Sequence, residues 1–256
     1  MLKKFSCIVL IILCLLITGC SNNLKSINNI EDLSNSKIGV YTGSEYDTIL
    51  KDNIKSATPA YYNSYSDEIS ALKSGKIDAF LTDEPLAKEI LKNNEGLKIL
   101  DEKLTTDSYA FAINPKKSTL KEEIDEIILE MKKDGTLTKL EEKWFGNNEE
   151  QKELEKYDYK YTDTIKFATV SGSAPFAYIK NNEIVGYDID VINYIGYRLG
   201  YKIEIVEMAF EGMIAALVSG KVDMAGCSII VTEERKKAVL FSEPNYTGGI
   251  VLVTRQ

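Results

Sequence analysis

One arginine, one aspartate and one glycine turn carry the chemistry this sequence offers. Arg235 stands in Thr232-Glu233-Glu234-Arg235-Lys236-Lys237, where Thr232 reads as the cap of a short helix with acids in its first turn. A planar guanidinium can bind both oxygens of a carboxylate at once. The same arginine on a surface helix would instead pair with Glu234 or another exposed acid. Thr42, Gly43 and Ser44 lie between the strand-like Lys37-Ile38-Gly39-Val40-Tyr41 and a helix expected near Glu45. Open backbone N–H groups and the helix dipole make such a turn a natural anion site, although an ordinary tight turn reads the same way. Asp83 follows a strand-like run at 77–81 and precedes Glu84-Pro85, a position suited to a helix N-cap.

Absences narrow the chemistry further. The chain has no histidine, which removes Ser-His-Asp and Cys-His catalysis and the usual histidine metal sites. Its cysteines are Cys7, Cys14, Cys20 and Cys227, with no CxxC pair, so neither a structural disulfide nor a zinc ribbon is expected. Cys227 reads as inert packing. No carboxylates pair at a telling spacing, and no enzyme, cofactor or metal is expected. The formal net charge of -8 becomes more negative once Lys3 and Lys4 are removed. An acidic surface repels phosphate backbones, so nucleic acid is not an expected partner.

The elements that must position these residues read as alternating strands and helices. Ala71-Leu72-Lys73-Ser74-Gly75-Lys76-Ile77-Asp78 recurs as Ala216-Leu217-Val218-Ser219-Gly220-Lys221-Val222-Asp223. Each copy reads as a helix end, a glycine just past it, then a strand. The repeat predicts two α/β lobes of similar construction. In the first stretch, strands are expected at 37–41, 77–81 and 109–113, with a helix capped by Ser66 and another from Glu84. Apolar residues at helical spacing predict a helix over 117–133, capped by Ser118 and closed by Gly135, and a second over 136–144. Residues 147–163 are charged, with little apolar periodicity, and read as a linker. The second stretch predicts strands at 165–170, 203–207, 222–226 and 250–254, with helices at 185–199, 211–218 and after Thr232.

The N-terminus is an address. A positive start, Met1 to Lys4, precedes an apolar stretch of 13 residues at 5–17, then Thr18, Gly19 and Cys20. The run is shorter than the ~20 residues a spanning helix needs and fits a secretory signal. Ile17-Thr18-Gly19-Cys20 resembles the lipobox of bacterial lipoproteins, which implies cleavage after residue 19, lipidation on Cys20 and a position outside the cytoplasm at the membrane. Residues 20–35 would be a polar tether.

Several stretches together resemble the family 3 extracellular solute-binding proteins of polar amino acid ABC transporters. They are Ala174-Pro175-Phe176, Glu183-Ile184-Val185-Gly186-Tyr187-Asp188-Ile189-Asp190, Phe210-Glu211-Gly212-Met213-Ile214, Thr232-Glu233-Glu234-Arg235, Phe241-Ser242-Glu243-Pro244, Thr82-Asp83-Glu84-Pro85 and Lys143-Trp144-Phe145-Gly146. The resemblance implies an α/β, two-lobed periplasmic-binding-protein-like (type II) fold with hinge strands. It also implies amino acid capture by lobe closure and delivery to a permease. The order of the parts is exchanged. Residues 165–249 resemble lobe one and 250–256 the first hinge strand. Residues 36–108 resemble lobe two, and 109–146 the return hinge strand with helices packing on lobe one. The chain is then a circular permutant closing on itself, a truncated piece of a tandem array, or one of two chains exchanging halves. A linker at 147–164 could reach about 60 Å, enough for closure within one chain.

The resemblance assigns a ligand carboxylate to Arg235 and a ligand ammonium to Asp83, and places Phe210 and Phe176 near the ligand side chain. The chain departs from the family at Val170, where many members have Asp, and at Ser173, where many have an aromatic. It also departs at Ser228, a frequent Gly, and at Ile230, where a hydroxyl is usual. These changes leave ligand identity open. Relatives of this fold also include dehydratases and cell-wall lytic enzymes, so an enzyme stays as one alternative and a non-binding or sensory remnant as another.

Overall fold

In the computed structural model the described residues are 25–157, 161 and 163–256. The signal at 1–19, the lipidation expected at Cys20 and the start of the tether lie outside them, and the rest of the expected tether is not free, because Ile27 and Leu33 are buried in the core of lobe two. In chain order the first stretch supplies β1 (Lys37–Tyr41), α1 (Tyr46–Asn53), β2 (Thr58–Tyr62), α2 (Tyr65–Lys73), β3 (Ala79–Asp83), α3 (Glu84–Lys92) and β4 (Leu97–Ile99). β5 (Asp107–Tyr109), β6 (Ala112–Ile113), α4 (Ser118–Asp134) and α5 (Thr136–Phe145) follow. The second stretch gives β7 (Asp163–Thr169), β8 (Gly172–Ser173), β9 (Ala177–Lys180), β10 (Glu183–Val185), α6 (Tyr187–Leu199) and β11 (Tyr201–Glu207). It ends with α7 (Met213–Ser219), β12 (Met224–Ala225), α8 (Glu233–Lys236), β13 (Leu240–Phe241), β14 (Tyr246–Gly248) and β15 (Ile250–Arg255).

Two five-stranded sheets share one plan. Lobe two has the order β2-β1-β3-β15-β4 and lobe one the order β11-β7-β12-β6-β13. In each, three parallel strands meet an antiparallel strand that arrives from the other stretch of chain, and a fifth strand pairs beyond it. Between the lobes β5 pairs with β14, Tyr109 opposite Tyr246. The predicted strand 109–113 is therefore two short strands, β5 in the crossing ribbon and β6 inside lobe one. Likewise 250–255 lies within the lobe-two sheet, and the crossing occurs just before it.

The sequence repeat has a physical counterpart. Gly75 and Gly220 take φ of +73° and +77°, a left-handed conformation that favours glycine. The next amides, Lys76 and Lys221, close the helix ends onto the Ala71 and Ala216 carbonyls. Asp78 and Asp223 then accept from the backbone N–H of Lys37 and Lys166 at 3.0 and 2.8 Å, tying each turn to the neighbouring parallel strand, β1 or β7.

Some local readings need correction. The cap of α2 is Ser64, which accepts from the Asp67 amide, rather than Ser66. Ser118 is the first helical residue of α4 and Lys117 holds the cap position. The helix predicted at 185–199 starts at Tyr187, after a β9–β10 hairpin. The linker is docked where it is described. Lys152 is 1 % exposed and bonds Glu149 Oε1 at 2.6 Å, and Lys180 Nζ donates to the Glu149 and Lys152 carbonyls. Among the described residues no helix is long and apolar enough to cross a membrane.

Candidate binding cleft

The C-terminal ends of β1, β3, β7 and β12 face one cleft between the lobes, the crevice where open α/β sheets place ligands. Arg235 enters from lobe one. Thr232 Oγ1 accepts its amide at 3.2 Å and so holds the first turn of α8. Its side chain is 9 % exposed. Nη1 donates to the Ile230 carbonyl at 2.9 Å and Nη2 to the Gly43 carbonyl at 3.1 Å, and Nε lies 3.4 Å from Glu45 Oε1. The guanidinium stands over the Phe210 ring at 5.7 Å. Burial lowers its pKa from the ordinary value, with Glu45 opposing the shift. Glu234, the alternative surface partner, pairs with Lys237 instead.

Asp83 enters from lobe two. It occupies the N-cap position of α3, yet its side chain makes no cap hydrogen bond. The buried carboxylate instead accepts from Tyr46 Oη at 2.9 Å, Tyr109 Oη at 2.6 Å and Ser228 Oγ at 2.9 Å. Burial pushes its pKa up to about 6, against the pull of these hydroxyls. Ser228, at φ +48°, also donates its amide to Asp188 Oδ2 at 3.0 Å, and Asn245 Nδ2 reaches Asp188 Oδ1 at 3.2 Å. Burial raises Asp188 to about 7. Ser228 thus bridges two buried acids, one in each lobe.

Both acids are raised above the ordinary 3.8, so folding favours their protonated forms. Their contribution to stability is fully present below pH 4 and is lost as pH rises through 6 to 7. On these groups the empty protein should become less stable between pH 4 and 8, by on the order of 3 kcal/mol or more. Melting curves across that range, with Asp188→Asn flattening the slope, check this. A flat wild-type profile would mean that neither acid is held protonated.

The remaining expected residues divide. Phe210 lines the cleft, edge-on to Tyr41 with centroids 6.2 Å apart, and Ser44, Ser173 and Ser228 line it too. Phe176 does not. It is fully buried among Tyr109, Phe145 and Tyr246, where it packs beside the hinge ribbon. The open-amide reading of the turn is corrected at two of its three residues. The Thr42 and Ser44 amides are spent on the Tyr62 and Tyr41 carbonyls, at 2.8 and 3.2 Å. What the turn gives the cleft is the Gly43 carbonyl, bound to Arg235. A Cβ on Gly43 would lie 2.7 Å from Glu211 Cα of the facing lobe, so backbone meets backbone here. Ile230, which lacks the usual hydroxyl, gives Arg235 its carbonyl. Val170 is half-buried against the lobe-one core. Cys227 is buried, and burial pushes its thiol up to about 12, which makes it a poor nucleophile.

Sequence reading passed over Tyr41, Glu45, Tyr46 and Tyr65. Tyr41 ends β1 and Tyr46 opens α1, so their place beside the Thr42–Ser44 turn was the available signal. Nothing local marks Tyr65, which stacks on Tyr41 at 4.7 Å. The cavity left between these groups is about 20 Å³, room for roughly one water. Any larger occupant requires the lobes to part.

The model of the bacterial extracellular solute-binding proteins, family 3, matches residues 28–147 and 165–256. The L-cystine-binding protein TcyJ of Escherichia coli (strain K12) is 32% identical over 125 residues, 48% of this chain and 47% of that protein. The arginine-binding extracellular protein ArtP of Bacillus subtilis (strain 168) is 37% identical over 82 residues, 32% of each. The matches thus span about half the length of these curated relatives or less. Among solved structures, the ligand-binding component of an ABC-type import system from Staphylococcus aureus aligns with a TM-score of 0.46 at 16% identity, over 86% of this chain and 65% of that one.

Proposed function

The chain belongs to the family 3 bacterial extracellular solute-binding proteins, and from that premise we propose that it captures an amino acid or similar small zwitterion by lobe closure for delivery to an ABC importer. One observation carries the reading: the cleft that Arg235 lines from lobe one is also lined by Tyr46 and Ser228, whose hydroxyls both donate to the buried Asp83 of lobe two. A guanidinium suits a carboxylate and an ionised Asp83 an ammonium, so one zwitterion would be held by both walls. Tyr41 and Phe210 stand beside that position for its side chain. A ligand touching both lobes favours the closed state by its differential affinity for it. The protein works outside the cytoplasm, joined to the membrane by a lipid on Cys20, and hands its ligand to a membrane permease.

The chain is a circular permutant of the family plan that closes on itself. The matching order of the two sheets, each taking a strand from the other stretch, supports this reading. Residues 21–256, purified, should sediment as a monomer. A ligand at 100 times its dissociation constant should raise stability by about 2.7 kcal/mol, read as a melting shift. A folded protein that shifts with none of the amino acids, cystine included, would refute capture. An obligate dimer would refute self-closure.

A further inference from the structure

Arg235 has partners on both walls of the cleft. Each of its three nitrogens already has a partner, and two of those partners, the Gly43 carbonyl and the Glu45 carboxylate, belong to the opposite lobe. Glu45 reaches in from the rim, its side chain 24 % exposed. Its carboxylate faces the guanidinium edge through Nε, as an incoming carboxylate would. With about 20 Å³ left in the cleft, a ligand carboxylate and the Glu45 contact compete for the same space and charge. We propose that Glu45 is an affinity-setting residue: its carboxylate stands in for the ligand carboxylate on Arg235, holds the lobes together in the empty protein, and must be displaced by each ligand that binds.

The energetics are those of a competitor tethered at the site. Closure of the empty protein gains the cross-lobe pair, so the open, ligand-accepting state is a minor population. Apparent affinity falls by that fraction. Because the pair is partly exposed, its removal should raise affinity by about three- to tenfold rather than by orders of magnitude. The proposal rests on Arg235 being the carboxylate partner of the ligand. Its test therefore includes a readout that needs no ligand.

Spin labels at the exposed positions Glu95 of lobe two and Leu129 of lobe one report lobe separation by electron–electron double resonance. Cys227, buried in the cleft, is left in place. The empty wild type should give one short distance. Empty Glu45→Gln should show a second, longer population, and Glu45→Ala more of it, each variant still melting in a single transition. In calorimetry Glu45→Gln should then bind the amino acid found in the melting screen three- to tenfold more tightly. Identical distance distributions in wild type and variants, or unchanged affinity in Glu45→Gln, would overturn the proposal and leave capture standing. Variants that open but, like the wild type, bind no amino acid would keep the latch and sink capture instead.

Discussion

Replacing Arg235 with alanine should cost about 2–5 kcal/mol of ligand affinity, the usual cost of truncating one side of a buried charge pair. Two effects pull in opposite directions. The ligand carboxylate loses its bidentate partner, and the Ile230 and Gly43 carbonyls lose their donor. Removal of the Glu45 contact, however, frees the lobes to open and returns a fraction of the loss. The net result should still be a large rise in dissociation constant, because the desolvated ligand charge has no replacement partner. Arg235→Lys should fall between, since an ammonium keeps the charge but loses the planar fork. Isothermal titration calorimetry on both variants checks the order. Wild-type affinity in Arg235→Ala would remove this residue from the site.

Asp190→Ala should lower folding stability by about 3–5 kcal/mol, as expected when a buried ion pair loses one member. Asp190 is 0 % exposed on α6 and gathers three donors. Trp144 Nε1 donates at 2.9 Å, Lys143 Nζ at 2.8 Å, and the Glu155 amide at 3.3 Å. It thereby fastens α5, α6 and the docked linker at one point. Without it the indole N–H is left unpaired, and the largely buried ammonium keeps only the Glu155 carboxylate at 3.3 Å. Urea unfolding should show the midpoint falling at an unchanged slope, and residues 147–157 should become more sensitive to protease. A loss below about 1 kcal/mol would mean that water replaces the carboxylate and the joint is dispensable.

Much of the local structure was legible because its signals are local. Gly75, Gly135, Gly200 and Gly220 all sit at helix ends with left-handed backbones, and each was read as a stop. The missed strands had weaker marks. β2 is an edge strand, half-exposed and carrying Pro59, so it lacks the apolar run of a central strand. The β9–β10 hairpin was signalled by Asn181-Asn182, whose φ of +52° and +65° suit a two-residue turn, but the run after it was read as helix. In the cleft, residue types could nominate Arg235 and Asp83. They could not reveal that Asp83 turns away from its helix to meet Tyr46, Tyr109 and Ser228, because those hydroxyls lie 26 to 145 residues away. Phe176 misled for a related reason: an aromatic after proline looks the same in a ring cluster as in a pocket. Glu45 was passed over because its partner lies on the facing lobe.

The strand borrowed by each sheet constrains how the molecule comes into being. Residues 37–83 leave the ribosome early, yet the edge of β3 stays uncovered until 250–255 are synthesised, because β15 is its neighbour. β6 likewise waits for β12 and β13. The lobe that begins first is therefore completed last, and the nascent chain must carry open sheet edges through most of its synthesis. Such edges invite pairing with other chains. Export in an unfolded form, with folding deferred until the whole chain has crossed, would spare the cell that hazard.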